Sequence, residues 1–530
     1  MLRRWKPVVT QTAASPRRVI AFGERFLHEK VPVGTKIIFP NAPLSALPDV
    51  PAAIRHALWH PLGKDPLPSK LRPGMKVLVA VDDISLPLPP MVTPDVRQLM
   101  LEACFELFDQ FGVEDVEVHV ATAFHRRMTA DEIKRMVGKV LFKRLYPKQL
   151  MNHDAEKPDG MVVIGHTKHG EPVELSRRAA ESDLIIYLNI NLVTMDGGHK
   201  SVGVGLTGYK GLLSHHTPDA IRKSDSYFDP KRSEMHTSIG RIGKIVNEKL
   251  DVFHVETVVN TEMYPSQLEF LGRPEETWSD FDLGRFKMLK WTLDKLPQDA
   301  RREMMMRTPA PYGILQVTAG ATEPVHEKTL EKCHEQYAVP VEHGQTDIAI
   351  IGVPHLCPYN VNSTAMNPLL VRCTGLGYMF NMYRGKPIVR KGGVLIICHP
   401  CRADFDEEHH PSYVEFFHRL LPETRDADVL KEKYEREFAE NPIYIEKYRF
   451  GHAYHGAHPF YMWYWAENGQ KHVGHIICAG AEEPETARRL GWHPAKDLTT
   501  AIEMAKDFLS EREPSISLLH CPPMILADVA

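Results

Sequence analysis

The sequence predicts an α/β protein of two domains, with mostly parallel sheets and an active-site cleft between the domains. Two observations lead to this prediction. Runs of β-branched residues with the length of strands alternate with amphipathic helical patterns, which is typical of parallel sheets. These runs form two groups, one before residue 300 and one after residue 310, and a chain of 530 residues suffices for roughly two to four domains.

The predicted elements follow one another in the order that this fold requires. In the first domain the strand-like runs are 75–83, 113–123 and 182–190, and the helical patterns are 96–112 and 129–141. In the second domain the strand-like runs are 346–354, 392–400 and 471–480, and the helical patterns are 412–421 and 498–510. Thr129 followed by Glu132 has the spacing of a capping box, so we expect a helix to begin directly after Thr129.

The division between the domains is predicted from these groups of elements. We expect residues 1–300 to form a cofactor-binding domain and residues 310–510 to form the second α/β domain. Residues 274–308 are interpreted as helix and connection between them. The tail contains a last strand-like run at 515–525, and we expect residues 512–530 to return to the first domain and complete its sheet.

Composition and charge exclude several classes of protein. The 64 Lys and Arg residues against 68 Asp and Glu residues give a net charge of −4, so no basic surface for nucleic-acid binding is expected. No apolar run approaches the roughly 18 residues of a membrane span, and the N-terminus lacks the apolar stretch of a secretory signal. The 8 Cys do not indicate a disulfide framework, whereas 28 His favour metal or proton-transfer chemistry. We therefore expect a cytoplasmic protein that acts on a small molecule, with its oligomeric state open.

Polar residues follow three strands of the first domain at the point where each strand ends. The first strand ends at Asp82 and Asp83, the second is followed by His125, and the third ends at Asn189 and Asn191. In an open α/β sheet, ligands bind outside the carboxyl ends of the strands. Taken singly, such an Asp most often caps a helix and such a His is most often structural. Taken together, these residues predict one cleft.

The segment 196–205, DGGHKSVGVG, is a glycine-rich turn that resembles a phosphate loop. A Walker A motif requires Gly-Lys-Ser/Thr, and here His199 separates Gly198 from Lys200, so an ATPase is not expected. The glycines still permit close approach of a ligand to the backbone, and successive N–H groups can hold an anion. A mononucleotide-like cofactor would fit this turn.

Three motifs, in this order, resemble those of the nickel-pincer nucleotide-dependent lactate racemase family. The family pattern Asp-x-Thr-Arg-Pro corresponds to residues 83–87, DISLP, and the pattern Gly-Thr-His-Arg-Pro-Met-Thr corresponds to residues 123–129, AFHRRMT. The pattern Gly-Gly-x-Lys-Ser, with a His sixteen residues after its Lys, corresponds to residues 197–201, GGHKS, and to His216. The resemblance extends over nearly the whole chain and is strongest over residues 30–220.

The resemblance implies a role for each of these motifs. Lys200 would be joined through a thioamide to a nickel-pincer nucleotide, and His216 would be the imidazole ligand of its square-planar nickel. Asp83 would hold the ribose of the cofactor, and His125 would be the acid/base that exchanges the proton of the substrate hydroxyl. The other implied cofactor contacts are Ser85, Gly197 and Gly198. The enzymes that synthesise the cofactor are then expected as partners in the cell.

Three departures from the family pattern concern the reaction and its substrate. A second catalytic His of the family is missing in the region of Asn191, so either His199 substitutes for it or water or the substrate relays the proton. Leu86 replaces an Arg, which removes a carboxylate contact, and Ala365 and Pro368 replace a substrate-binding Gln and Lys. We therefore expect a 2-hydroxy acid other than lactate, either larger or derived from a sugar. Further candidate substrate contacts are Arg126, Arg127 and Trp463 or Trp465.

Two other interpretations stay open. Cys398-His399-Pro400-Cys401 follows a strand, and with His409 and His410 it has the residue types of a zinc site, which would favour a hydrolase or a lyase. The Asn in place of a catalytic His would favour a homologue that binds its ligand without turnover. Bound nickel would distinguish the racemase from both alternatives.

Overall fold

Two large sheets, each of them mostly parallel, carry the elements of this chain. The computed structural model describes residues 5–86, 89–510 and 513–530, so Pro87 of the first motif lies outside the described residues. The predicted α/β class with mostly parallel sheets is confirmed. In the described ranges, no helix combines the length and the apolar character that crossing a membrane requires.

The first sheet has six strands in the described residues and is parallel apart from one edge. In spatial order its strands are Ile314–Gly320, Val252–Val259, Leu184–Asn191, Lys76–Asp82, Asp115–Ala121 and Leu150–Asn152. The first two of these pair antiparallel and the others pair parallel. The central strands are buried almost throughout because helices cover both faces of a parallel sheet, which explains their continuous Val, Leu and Ile content.

The second sheet has seven strands in the described residues and combines N-terminal and C-terminal segments. In spatial order its strands are Val8–Thr10, Lys36–Ile38, Ile516–Leu519, Thr346–Gly352, Val389–Cys398, His475–Ala479 and His493–Ala495. The tail strand Ile516–Leu519 thus pairs in the second sheet, and the expectation that it completes the first sheet is wrong. The preceding helix Leu498–Leu509 packs on strands of the second sheet, so the chain returns to that sheet. Residue 512 lies outside the described residues.

Smaller elements complete the structure. The strands Ala338–Val341, Leu526–Val529 and Tyr383–Arg384 form a separate sheet, and two hairpins consist of Arg18–Phe22 with Arg25–Glu29 and of Met161–His166 with Pro172–Ser176. The α-helices are Val50–Trp59, Leu67–Lys70, Val96–Phe111, Ala130–Val137, Lys139–Leu145, Arg177–Ala180, His199–Gly205, Tyr209–Leu212, Pro218–Arg222, Glu234–Lys249, Asp280–Lys295, Gln298–Arg307, Thr322–Tyr337, Pro368–Arg372, Pro411–Glu415, Ala427–Leu430, Arg436–Ala439, Pro442–Phe450, His458–Tyr464, Glu467–His472, Pro484–Arg489 and Leu498–Leu509. The 3-10 helices are Pro230–Arg232, Glu269–Gly272 and Glu275–Thr277, and the π-helical segments are Cys373–Met379, Phe416–Leu420 and Lys431–Glu435. The predicted boundary at residues 300–310 stays a prediction, although the strand Ile314–Gly320 lies in the first sheet.

The helix after the second motif begins where its capping signal indicates. Both hydrogen bonds of the capping box between Thr129 and Glu132 are present, and the helix Ala130–Val137 begins directly after Thr129. The predicted single helix 129–141 is interrupted at Gly138, whose φ of +80° lies in the region that favours glycine. The chain then continues as the helix Lys139–Leu145.

Segments of the second half of the chain pack over the carboxyl ends of the first sheet. The hydroxyl of Tyr448 donates to the carbonyl oxygen of Ala123 over 2.7 Å. The backbone N–H of His455 donates to the carbonyl oxygen of Phe124 over 3.1 Å. These contacts hold the turn after the strand Asp115–Ala121, where the second motif begins.

Candidate active site

A cavity lies at the carboxyl ends of the strands Lys76–Asp82, Asp115–Ala121 and Leu184–Asn191. Eight residues named as candidate contacts from the sequence line it, namely Asp83, Ser85, Leu86, His125, Gly197, Lys200, His216 and Trp465. The carboxyl ends of adjacent parallel strands meet at one edge of the sheet, and this brings the three motifs together. The opposite wall comes from the second half of the chain and consists of Tyr359, Tyr378 and Trp465.

His125 and Asp83 form a hydrogen-bonded pair in the wall of the cavity. His125 Nδ1 and Asp83 Oδ2 are 3.0 Å apart, and Asp83 is buried. The backbone N–H of Ser85 donates to Asp83 Oδ1 over 3.0 Å, so the carboxylate is held from two sides. Because the carboxylate engages Nδ1, Nε2 is the ring nitrogen that is left to exchange a proton.

A sharp turn places His125 at the cavity. Ala123 has a φ of +45°, a conformation that residues other than glycine rarely adopt. Two hydrogen bonds hold Ala123 in this conformation. Its N–H donates to the carbonyl oxygen of Gly205 over 3.2 Å, and its carbonyl oxygen accepts from the hydroxyl of Tyr448. Backbone strain of this kind is concentrated at functional sites.

Gly197 and Gly198 form the turn before the helix His199–Gly205. Their φ angles of +89° and +59° lie in the left-handed region, where a side chain would be strained. A Cβ atom on Gly197 would lie 2.5 Å from Oδ1 of Asn191, so the turn closes directly over Asn191. The N–H of Gly198 donates to Oε1 of the buried Glu256 over 2.7 Å and is therefore not free to hold an anion.

Lys200 reaches the cavity from the first turn of its helix. Its Nζ atom is 2.8 Å from Oδ1 of Asp196 and 3.4 Å from the carbonyl oxygen of Met195. Among the described residues that line the cavity, it is the one Lys or Arg, whereas three carboxyl groups line it, those of Asp82, Asp83 and Asp196. A covalent bond from Nζ to a ligand would require the ion pair with Asp196 to break.

His216 is held by a neighbouring histidine and by an aromatic ring. Its Nδ1 is 2.6 Å from Nδ1 of His215, and its ring stacks on that of Trp465 with the centroids 5.5 Å apart. Burial, followed by the charges of His215 and Lys200, lowers the pKa of His216 well below its ordinary value. The imidazole is therefore neutral near pH 7, and its Nε2 is the nitrogen left to bind a metal ion.

Asp82 lines the cavity without a role assigned to it from the sequence. Its carboxylate accepts from Nδ2 of Asn189 over 3.1 Å and from the N–H of Ile190 over 2.8 Å. Burial raises the pKa of Asp82 to about 7, because these hydrogen bonds only partly offset the desolvation. The signal that identifies it is the pair of consecutive aspartates at a strand end.

The structure does not bring the two candidates for the second proton exchange, His199 and Asn191, to the cavity. His199 Nε2 is 3.2 Å from Oε1 of Glu323. His199 and Lys200 are consecutive residues of a helix, so their side chains point about 100° apart. Asn191 is buried under the glycine turn, where its Nδ2 donates to the carbonyl oxygen of Thr257 over 3.3 Å.

Four predicted substrate contacts also lie outside the set of residues that line the cavity, namely Arg126, Arg127, Ala365 and Trp463. The guanidinium of the buried Arg126 is 2.6 Å from a carboxylate oxygen of Glu132, which belongs to the capping box of the next helix. Trp463 is buried against the guanidinium of Arg372, which lies 3.7 Å from its ring. Trp465, two residues further on, lines the cavity instead, because the helix His458–Tyr464 ends between the two tryptophans.

The Cys and His residues that follow the strand Val389–Cys398 do not form a metal site. In the part of the chain that the structure describes, no three His, Cys, Asp or Glu side chains are grouped so that they could hold a metal ion. Burial raises the pKa of Cys398 to about 12, so this thiol stays protonated. Nδ1 of His399 accepts from the N–H of Cys401 over 2.9 Å. This geometry does not support a zinc-dependent hydrolase or lyase.

Known proteins that resemble this chain are lactate racemases. Residues 22–227 match the family model of the lactate racemase N-terminal domain. Over 173 residues the chain is 25% identical to the lactate racemase of Thermoanaerobacterium thermosaccharolyticum and 24% identical to that of Lactiplantibacillus plantarum. Each alignment covers 32% of this chain and spans only 38% of the length of the relative.

A solved structure extends the likeness to the rest of the chain at the level of the fold. The lactate racemase apoprotein of Thermoanaerobacterium thermosaccharolyticum matches with a TM-score of 0.61 and 16% sequence identity, over 96% of this chain and 99% of that chain. All three motifs that line the cavity fall within the matched residues 22–227. The three motifs thus lie in the part of the chain that is similar to the lactate racemase N-terminal domain, and the chain shares the fold of the lactate racemase apoprotein.

Proposed function

We propose that this chain is an isomerase that racemises or epimerises a 2-hydroxy acid with the help of a nickel-pincer nucleotide. The observation that carries the proposal is a single cavity that holds the Asp83–His125 pair, Lys200 and His216 together. These residues belong to the three motifs that resemble the lactate racemase family, and they lie in the part of the chain that matches it.

The donor set of the cavity fits such a cofactor. His216 offers a neutral imidazole with Nδ1 engaged, so its Nε2 would be the protein ligand to the nickel of such a cofactor. Lys200 offers an amine, and Gly197 lines the cavity in the turn that precedes it. Asp83 and Ser85 offer polar contacts to a ribose. When bound, this cofactor would accept a hydride from the substrate carbon and return it.

The side chains around it supply the exchange of the proton. His125 Nε2 would take the hydroxyl proton as the substrate becomes a 2-oxo acid, and would give the proton back in the reverse step. Asp83 accepts from Nδ1 over 3.0 Å, which leaves Nε2 for the proton exchange. The same hydrogen bond fixes the orientation of the ring. The buried rings of Tyr359 and Trp465 keep water away from the reacting atoms.

The shape and charge of the cavity favour a substrate other than lactate. Leu86 lines the cavity in place of an arginine, and Ala365 and Pro368 are buried outside it. Arg126 is already engaged in an ion pair, so a small carboxylate would find no free arginine among the described lining residues. A second cavity shares Leu86 with the first; its lining is mostly apolar and also includes Asp95, Arg97, Glu132, Asn362 and the exposed Arg135. We therefore propose a larger 2-hydroxy acid as the substrate, acids derived from sugars included.

One observation favours a second candidate, a homologue that binds its ligand without turnover. Neither Asn191 nor His199 lines the cavity, so His125 has no second imidazole opposite it there in the described residues. The two candidates share the binding site and differ only in whether the bound hydroxy acid is converted.

The proposal is tested by co-expressing the chain with the enzymes that synthesise the cofactor, and by measuring intact mass, nickel content and conversion of hydroxy acids. We expect the wild-type mass to exceed the unmodified 60.2 kDa, and the protein to bind nickel. Lys200→Ala should abolish the added mass, because its Nζ is the point of attachment. Lys210→Ala is the matched control, since Lys210 is a lysine outside the cavity and its loss should leave the added mass intact.

His216→Ala separates the metal from the organic part of the cofactor. Its loss removes the one proposed protein ligand to nickel, so nickel content should fall while the added mass of the organic part remains. An unmodified wild-type mass without nickel would contradict the covalent cofactor. Added mass and nickel without conversion of any 2-hydroxy acid would favour the homologue that only binds.

A further inference from the structure

Two tyrosine hydroxyl groups in the far wall of the cavity are hydrogen-bonded to each other. The hydroxyl oxygens of Tyr359 and Tyr378 are 2.7 Å apart, and both residues line the cavity. Tyr359 is 7% exposed and Tyr378 is 4% exposed. Within the described residues, neither hydroxyl has a second hydrogen-bond partner.

One proton of this pair is left without an acceptor. Each phenol has one O–H to donate, and the single hydrogen bond between the two oxygens uses one of the two protons. Buried hydroxyl groups normally have a partner, so the remaining O–H indicates an acceptor beyond the described side chains. Because both tyrosines line the cavity, a molecule held in the cavity can accept this proton.

Tyr359 is the member of the pair that lies beside the proton-exchanging histidine. The ring centroids of Tyr359 and His125 are 5.2 Å apart, whereas Tyr378 lies on the other side, 6.1 Å from the ring of Trp465. Tyr378 belongs to the π-helical segment Cys373–Met379, and interruptions of this kind are frequent at functional sites. The geometry therefore assigns to Tyr359 the contact with a ligand near His125. It assigns to Tyr378 the orientation of the Tyr359 hydroxyl.

We propose that Tyr359, oriented by Tyr378, donates a hydrogen bond to the reacting oxygen of the substrate while His125 exchanges the proton of that oxygen. The inference rests on the proposed function, because it takes this oxygen to be the hydroxyl of a 2-hydroxy acid. The hydroxyl proton passes to His125 Nε2, the hydride leaves the carbon with its electron pair for the hydride acceptor of the proposed function, and the oxygen becomes a carbonyl oxygen. Neither phenol transfers its proton.

This arrangement compensates for the missing second imidazole. A planar 2-oxo acid must be held in place while hydride returns to one face or the other, and a fixed donor to its oxygen provides this. Burial raises the pKa of both tyrosines well above the ordinary value, so both remain donors throughout the neutral range. Asn191 cannot supply the contact, since it is buried beneath the glycine turn.

The test is the binding of 2-oxo-3-methylbutanoate, labelled with carbon-13 at its ketone carbon, to protein co-expressed with the cofactor-synthesising enzymes. A hydrogen bond to the ketone oxygen moves the resonance of this carbon downfield. We expect such a shift with the wild type, and we expect Tyr359→Phe to abolish it and to raise Kd roughly 3- to 10-fold, the loss that one hydrogen bond causes. Tyr378→Phe should reduce the shift without abolishing it, and the double variant should behave as Tyr359→Phe does.

Tyr337→Phe is the matched control. This variant also removes a buried tyrosine hydroxyl, which donates to the carbonyl oxygen of Val259 over 2.7 Å and does not line the cavity. It should change neither the carbon-13 shift nor Kd. Equal changes in Tyr337→Phe and Tyr359→Phe would attribute the effect to packing and would overturn the proposal.

Two further results would overturn the assignment to Tyr359. One is a wild type that does not bind the probe, and the other is a shift that persists in Tyr359→Phe. If Tyr359→Phe does not fold, an unchanged shift in Tyr378→Phe decides against the pair. If the carbon-13 shift behaves as expected in a protein that converts no hydroxy acid, Tyr359 is retained as the hydrogen-bond donor and the proposed function is refuted. Failure of this inference is therefore distinguishable from failure of the proposed function.

Discussion

Polar residues follow the strands at the carboxyl ends of both large sheets, in the same topological position. The two edges differ in what surrounds these residues. In the first sheet, Asp83 and His125 follow the strands and open onto a cavity. In the second sheet, His355 and His399 follow the strands Thr346–Gly352 and Val389–Cys398, and both are buried under the N-terminal hairpin. One edge binds a ligand in our proposal, whereas at the other the hairpin covers His399 and leaves His355 against a mostly apolar cavity.

The closure of the second sheet rests on a glycine turn. The N–H of Gly23 donates to the carbonyl oxygen of Val353 over 2.8 Å, and its carbonyl oxygen accepts from the N–H of His355 over 2.8 Å. Gly23 has a φ of +56°, and a Cβ atom on it would lie 3.0 Å from Pro400, so this approach requires glycine. Burial lowers the pKa of His399 to about 3, so this ring is neutral under the hairpin.

The difference shows that polar residues at strand ends do not identify a site by themselves. In the first sheet, Nδ1 of His125 and Nδ1 of His216 are engaged and Nε2 of each ring is left for a ligand. In the second sheet, Nδ1 of His399 accepts from Cys401 within the same turn, and no metal-binding group forms in the described residues. The free nitrogens of the first cavity lie beside a lysine and three carboxyl groups, whereas His355 Nε2, unpartnered at the second sheet, belongs to a mostly apolar cavity.

The largest expected effect comes from replacing His125 with Gln, with His399 as the comparable histidine at the other sheet. His125→Gln should lower kcat of the cofactor-loaded protein by roughly 10²- to 10⁴-fold, because it removes the proposed general acid/base. His399→Gln changes the same residue type at the other sheet and should leave kcat close to that of the wild type. Chiral chromatography of the reaction mixture measures both values, and equal losses in the two variants would contradict the division between the edges.

A smaller effect is expected on the hairpin that closes the second sheet. Arg18 is buried there, with NH1 2.9 Å from a carboxylate oxygen of Glu275. Arg18→Met would remove the guanidinium from this buried carboxylate and leave it only the N–H of Val19 and the ring of His520, so the free energy of unfolding should fall by roughly 3–5 kcal/mol. The side chain of its neighbour Arg17 is 54% exposed and 4.0 Å from Glu29, so Arg17→Met should cost less than about 1 kcal/mol. Urea denaturation compares the variants, and losses of similar size would refute the structural role of Arg18.

The smallest expected effect concerns one carboxyl group at each edge, and it is the change in the free energy of unfolding with pH. Asp82, at the first sheet, has its pKa raised to about 7 by burial. Glu24, in the hairpin over the second sheet, has its pKa lowered to about 2, because backbone hydrogen bonding and the guanidinium groups of Arg402 and Arg301 outweigh its burial. The two shifts therefore change stability in opposite directions.

The sign follows from which state binds the proton more tightly. Asp82 is more easily protonated in the folded chain, so its contribution is complete below about pH 4 and is lost as the pH rises to 7. The contribution of Glu24 is complete above about pH 4.5 and is lost as the pH falls to 2. Relative to the wild type, Asp82→Asn should gain stability between about pH 4 and 7 and Glu24→Gln below about pH 4.5, each by at most about 1.4 kcal/mol per pH unit. Urea denaturation across this range measures the difference, and parallel profiles would contradict it.

The sequence by itself determined the fold class and the residues that gather at the first sheet. These depend on local signals, because strand length, the capping box after Thr129 and the glycine turn before Lys200 are each encoded within a few residues. The carboxyl ends of parallel strands then meet by geometry, which places Asp83 and His125 together without knowledge of distant contacts.

Only the tertiary structure decided which neighbouring side chain faces the cavity and which sheet the tail joins. Lys200 lines the cavity while His199 does not, because successive helical residues point about 100° apart and long-range packing fixes the rotation of the helix. Trp465 lines it while Trp463 does not, because the helix His458–Tyr464 ends between them. The strand Ile516–Leu519 pairs according to the sheet on which its preceding helix packs. The phenol pair of Tyr359 and Tyr378 joins residues nineteen positions apart across an irregular segment. Such contacts depend on burial energy summed over distant parts of the chain, which no local pattern contains.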